Sequence, residues 1–255
     1  MNIASKMRRT GTALTAAALL GATLAGGIGS SGCKARFGNM MSKSQEVEIG
    51  QQARGDVERK YPIEDDPAIN ARMQRIADRI IPLARTDFDV PYTVKVIDSK
   101  EVNAFALPGG PIYFYRGLIE LAESDDEIAS VLGHEAAHIV KRHSAKQISD
   151  AQMKGLLASL ALGGQSSLVQ TLASIGLQLE QLRYSRDDET ESDENGFRYL
   201  VAAGYNPDAM ASFFRKMAQK SGGRGPEWLS SHPVTSRRIE RAERMAAEFK
   251  SGQRP

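Results

Sequence analysis

The sequence predicts an α+β fold that is mainly helical and carries a small antiparallel sheet. Three observations carry this. Apolar residues recur at helical spacing on both sides of a short stretch, residues 92 to 115, in which they alternate as strands do. Pro108, Gly109 and Gly110 supply a turn inside that stretch. From residue 116 onward the helical spacing returns, interrupted mainly by GGQSS (163 to 167) and SGGRG (221 to 225), with no internal repeat.

Residues 1 to 32 precede this pattern and read as a targeting segment. MNIASKMRR is a short basic stretch, TALTAAALLGATLAGGIG is apolar, and SSGC follows, which is the layout of a secretory signal peptide. The apolar part is too short and glycine-rich for a stable membrane-spanning helix. Cys33 is the only cysteine, so no disulfide forms within the chain. SSGC resembles a bacterial lipobox, with Ser30 where that motif has Leu. The resemblance implies lipidation at Cys33, a tether over 33 to 42, and a chain held on the periplasmic side of the bacterial cell envelope by a membrane anchor.

The main domain is expected over 43 to 250, with 251 to 255 as a tail. Its composition is that of a globular protein, with 41% hydrophobic and 25% charged residues in a total of 255. Net charge is +2, and three cations in the acid-free first 32 residues account for it, leaving the remainder at −1. A nucleic-acid partner bound through bulk charge is thereby excluded.

Helices are expected at 44 to 60 and 66 to 85, the second with Asp66 as N-cap, Pro67 at the first helical position and Ile69, Met73, Ile76 and Ile80 on one face. Strands follow at 92 to 98, 103 to 107 and 111 to 115. Ser124 and Glu127 have the spacing of a capping box, and Ile128, Val131, Leu132 and Ile139 form a core face, so 125 to 142 is the next helix. Residues 153 to 179 are strongly apolar but broken by GGQSS into pieces too short to span a bilayer. They are expected to pack as a helical pair beside the site or to touch a membrane surface.

The helix over 125 to 142 carries the chemistry. GHEAAH places His134 and His138 one turn apart on one face, close enough to share a zinc ion, with Glu135 beside them to act on water. Only four histidines occur in the chain, so two at this spacing call for a reason. A catalytic zinc needs a third protein ligand, and no further histidine follows at the metzincin spacing, so a carboxylate is expected. His143, just past the helix, is expected to cap or bond its end and is not needed as a ligand.

GHEAAHIVKRH, preceded by NAFALPGGPIYFYRGLIE and followed by SRDDETESDENG and SHPVTSRRIERA, resembles the zinc metallopeptidases of the HtpX, CAAX prenyl protease and Oma-type gluzincin family. The resemblance spans residues 43 to 250 and implies a zincin-like domain with one Zn2+ per chain. In that family the third ligand is the Glu of an E-x-x-x-D motif, which falls on Glu189, with Asp193 one turn on to hold a ligating histidine. On a helix, Asp187, Asp188, Glu191 and Glu194 turn away from the face of Glu189, Asp193 and Gly196 and remain a solvated surface. Gly196 would let another helix approach closely.

The family pattern also implies roles for His232, Pro233 and Arg238: binding the developing charge, positioning substrate or, for His232, occupying the open zinc position in a latent state. NAFAL resembles the family's edge strand, which implies that Asn103, Ala104, Phe105 and Ala106 hold an extended polypeptide. The implied function is zinc-dependent endopeptidase action on misfolded or unassembled envelope proteins, with Glu135 as base. The competing reading is an envelope chaperone or assembly factor that binds unfolded chains with little proteolysis. Glu189→Ala is expected to lose metal and activity, while Glu191→Ala keeps both, as metal analysis and a casein assay would show.

Overall fold

Ser42 opens the described fold, accepting a bond from the Gln45 backbone while the Gln45 side chain returns one from the Ser42 N–H at 2.8 Å. The computed structural model describes residues 41–151, 182–220 and 225–252. This reciprocal cap starts α1 (Lys43–Lys60). Asp66 accepts from the Ala68 N–H at 2.7 Å with Pro67 at the first position, and starts α2 (Pro67–Asp87), which buries Met73, Ile76 and Ile80 as its spacing predicts. The expectations over Cys33, residues 1 to 40 and residues 153 to 179 lie outside the described residues. Among those described, no helix is long and apolar enough to cross a membrane.

Three strands follow: β1 (Thr93–Ile97), β2 (Ala104–Ala106) and β3 (Pro111–Tyr115), in the order β1-β3-β2. Gly109 and Gly110, with φ of 71° and 130°, close the hairpin from β2 to β3. The sheet is mixed rather than antiparallel. β2 runs antiparallel to β3, but β1 pairs parallel with it, Thr93 opposite Pro111 through Ile97 opposite Tyr115. The chain leaves β1 beside Tyr115, crosses the end of β3, descends through β2 and returns up β3. Alternation identifies strands but carries no information about which non-consecutive strand becomes the neighbour.

The sheet separates two apolar clusters. Ala104, Ala106, Ile112 and Phe114 face the larger one with α2 and the helices that follow, while Phe105, Leu107, Tyr113 and Tyr115 pack with Ala53 and Val57 of α1. After a short α3 (Arg116–Leu121), α4 (Asp125–Val140) runs through the larger cluster, with every residue from Glu127 to Ile139 buried. A helix buried on all sides must find neighbours all round. Those include α2, β2, α5 (Arg186–Ala202) and α6 (Ala209–Gln219). α7 (Trp228–Ser231) and α8 (Ser236–Lys250) complete the described chain.

Ser124 caps α4 as expected, but Glu127 does not return the bond to Ser124. Its carboxylate accepts instead from the Glu123 N–H at 2.8 Å, Ser212 Oγ at 2.8 Å and Lys216 Nζ at 2.7 Å, fastening α6 to the start of α4. Burial opposes ionisation there, yet Lys216 and the two other donors hold the carboxyl below its ordinary value of 4.5. A depressed folded value contributes stability above the unfolded value, and that contribution disappears as pH falls through the folded one. Glu127→Ala is therefore expected to cost about 1–3 kcal/mol at neutral pH. The difference in melting temperature from the wild type should narrow as pH falls below 4.5.

Candidate metal centre

The site forms where α4 and α5 cross, and glycine sets how near they come. A Cβ added at Gly196 would lie 2.7 Å from the His134 backbone nitrogen, and one added at Gly133 would lie 2.8 Å from the Gly196 carbonyl oxygen. Neither distance is available to a real side chain. The close approach delivers Glu189 and Asp193, one turn apart on α5, to His134 and His138, one turn apart on α4.

His134, His138, Glu189 and His232 each offer one donor atom, all within 4.8 Å of one another, and all four residues are buried. The Nε2 atoms of His134 and His138 are 3.0 Å apart, and His232 Nδ1 lies 3.2 Å from His134 Nε2 and 3.0 Å from Glu189 Oε1. Glu189 oxygens lie 3.5 Å from His138 Nε2 and 3.7 Å from His134 Nε2. An ion with tetrahedral bonds of about 2.0–2.1 Å has ligand atoms about 3.3 Å apart, and these separations of 3.0 to 3.7 Å bracket that value. The donor set fits a metal ion in chemistry as well as size.

The protonation states agree with that fit. Burial holds His138 well below the ordinary histidine range against the pull of Glu189, so its ring is neutral. Burial alone would raise Glu189, but His232 and Arg238 outweigh it and hold the carboxyl well below its usual range. Asp193 Oδ1 stands 3.0 Å from His134 Nδ1, and a ring proton on that side would leave Nε2 bare. Two bare ring nitrogens facing each other at 3.0 Å repel unless a cation lies between them.

Glu135 is fully buried beside the donor set. Its Oε1 takes a 3.4 Å bond from Trp228 Nε1 and lies 3.5 Å from His232 Nε2, while Oε2 has no hydrogen-bond partner among the described residues. Burial raises its carboxyl, although His232 and His134 pull the other way. His232 lies between two aromatic faces, Trp228 at 5.0 Å and Tyr184 at 5.3 Å between ring centroids.

Over residues 67–246 the chain matches the model of peptidase family M48. The chain belongs to peptidase family M48. It is 27% identical over 227 residues to the beta-barrel assembly-enhancing protease of Escherichia coli, a match covering 84% of this chain and 46% of that protein. With the metalloprotease LoiP of Escherichia coli it shares 30% identity over 227 residues, 87% of this chain and 89% of the relative. Identity to the mitochondrial metalloendopeptidase OMA1 of Schizosaccharomyces pombe is 33% over 183 residues, 69% and 52% of the two chains. The M48 chain thus spans under half the length of the assembly-enhancing proteases it matches.

Other expected residues of the M48 chain take particular places. Arg238 is buried, with Nε and Nη2 bonded to the two oxygens of Asp193 at 2.8 and 2.7 Å and Nη1 to Glu189 and to the Pro233 carbonyl. These bonds make it a clamp on two carboxylates and leave little for a developing oxyanion. Asn103, Ala104, Phe105 and Ala106 are all buried; Asn103 Oδ1 accepts from the Ala104 N–H, and Trp228 donates its backbone N–H to Val102 at the head of β2. The acidic run is less of a surface than its composition implies. Asp187 and Glu194 are exposed, but Asp188 is only 4% exposed and bonds Ser185 as part of the α5 cap, and Glu191 turns to His143. Trp228 and Tyr184 are marked by no sequence motif, although Trp228 is the chain's only tryptophan, and His143 is expected from the sequence only to cap or bond the end of its helix.

Gly196→Ala tests the crossing. The added methyl should force α5 off α4, cost about 1–3 kcal/mol of stability and weaken metal retention, measured as metal content after dialysis against a mild chelator.

Proposed function

We propose that the chain is a zinc-dependent endopeptidase that hydrolyses peptide bonds of misfolded or unassembled cell-envelope proteins. The observation that carries this reading is the buried cluster of three imidazoles and one carboxylate, whose donor atoms all lie within 4.8 Å of one another, with Glu135 beside it. In this reading His134, His138 and Glu189 are the zinc ligands and Asp193 orients His134. Zinc bound there would polarise a scissile carbonyl and acidify water. Glu135, its carboxyl raised by burial, would take a proton from the attacking water and pass it to the leaving amine. Family membership and the names of the three relatives, each a protease or metalloendopeptidase, support the same reading. The intact donor set weighs against a chaperone that cleaves little.

His232 reaches the donor set from α7, in the position that water and substrate would need. We assign it to a latent state, in which its ring fills the fourth position. Substrate would pair with β2 along Asn103 to Ala106, which requires that the Trp228 contact to Val102 give way. The envelope location and lipid anchor at Cys33 belong to the same proposal and rest on the targeting pattern of residues 1 to 33. A casein assay with metal analysis on the full chain is the test. Glu135→Gln should keep zinc and lose about 100-fold or more in cleavage. His232→Gln should keep zinc and cleave faster than wild type. Equal cleavage by Glu135→Gln, or a folded wild type without zinc affinity, would sink the enzyme reading; slower cleavage by His232→Gln would sink latency alone.

A further inference from the structure

Behind His138, on the side away from the donor set, stands a second line of contacts. His138 Nδ1 lies 2.9 Å from His143 Nδ1, and His143 Nε2 lies 3.0 Å from Glu191 Oε2. Asp188 Oδ1 is 3.6 Å from the same Nε2, and Ser192 Oγ is 3.4 Å from His143 Nδ1. His143 is buried, whereas the Glu191 side chain is 48% exposed, so the line runs from the ligand to the surface of α5.

The proton positions along this line follow from its outer end. An ionised carboxylate only accepts, so the 3.0 Å contact to Glu191 requires the proton of His143 on Nε2. A His138 ring that binds metal through Nε2 carries its one proton on Nδ1, beside His143 Nδ1. A His143 ring with its single proton on Nε2, toward Glu191, has a bare Nδ1 to accept it. The 2.9 Å contact is then a hydrogen bond only if His138 donates from its own Nδ1, which leaves His138 Nε2 bare and facing the donor set. The contacts on the opposite side of the ring thus match the tautomer that metal ligation requires at His138.

We propose that His143 is a positioning residue for the metal site: its Nδ1 accepts the Nδ1–H of His138 and aims His138 Nε2 at the ion, while Glu191 anchors His143 from the surface. The inference rests on the metal-site reading above. It gives the two α4 histidines different supports. His134 has Asp193 beside it, an anion clamped by Arg238, and His138 has the His143 imidazole, which a partly solvated carboxylate steadies. It also replaces the expectation that Glu191 is only part of a solvated face and that Glu191→Ala leaves metal binding untouched.

Zinc affinity, measured on the full-length protein by competition with a chromogenic chelator, tests this without reference to cleavage. His143→Leu removes the acceptor while filling space and should lower affinity about 10- to 100-fold. His143→Asn, whose Oδ1 falls where Nδ1 stood, should recover most of that loss. Glu191→Ala should lower affinity by a smaller but measurable factor. Wild-type affinity in His143→Leu, or equal losses in His143→Leu and His143→Asn, would reduce His143 to packing and overturn the proposal. Should His143→Leu fail to fold, Glu191→Ala decides, and wild-type affinity there overturns the relay. A folded wild type that binds no zinc removes the metal-site reading itself, an outcome distinct from the others.

Discussion

The backbone contact between Gly133 of α4 and Gly196 of α5 is the constraint on which the site depends. A Cβ at either glycine would meet the backbone of the other helix, so the two glycines let α4 and α5 approach more closely than side chains would permit and bring Glu189 and Asp193 to His134 and His138. Most helix pairs keep 8–10 Å between axes, a gap filled by the interdigitating side chains. Here the gap is closed at one point, and the four groups His134, His138, Glu189 and Asp193 lie within about two turns of that point on either helix. The rest of α4 is buried under α2, α6 and the sheet, so the crossing cannot relax by tilting α4 away from α5.

Burying charge at such a crossing is costly unless the partners are fixed beforehand. Arg238 does this from α8, bonding both oxygens of Asp193 and touching Glu189, and its backbone N–H is capped by Thr235 at the start of its own helix. Three helices therefore share one ionic cluster, whose members lose hydrogen-bonding partners together if any one helix leaves. That coupling links the last described helix to the metal centre in energetic terms, although α8 contributes no atom to the donor set.

Much of this was legible in the sequence because it is local. Asp66 and Ser124 announce helix starts through bonds to residues two and three positions on, and His134, Glu135 and His138 share a helix whose period fixes their common face. Glu189 and Asp193 came from the resemblance to a family pattern, and in the structure they lie beside the two histidines. What escaped the sequence depends on where distant segments end up. The parallel pairing of β1 with β3 reflects the insertion of β3 between two earlier strands. Glu127 has the spacing of a capping box, but the arrival of Lys216 and Ser212 on α6 offers its carboxylate better partners. His143 reaches Glu191 because the chain leaves α4 through Arg142, held at φ 59° and bonded to Glu46 and to the Met41 carbonyl, a turn no local pattern signals.

The charges gathered at the crossing have a consequence for the kind of ion that suits it. Glu135, Glu189 and Asp193 are buried around the donor atoms, and one buried cation, Arg238, stands among them; the rings of His134 and His138 add none as ligands. With His232 neutral, as a ring that fills a ligand position must be, and Glu135 ionised, as a base must be, three carboxylates and one guanidinium leave two negative charges in a region from which water is largely excluded. A divalent ion brings that total to zero, a monovalent ion leaves a residual charge of one sign and a trivalent ion one of the other. Selection by valence is therefore built into the helix crossing itself, alongside the selection by size and ligand type that the four donors provide.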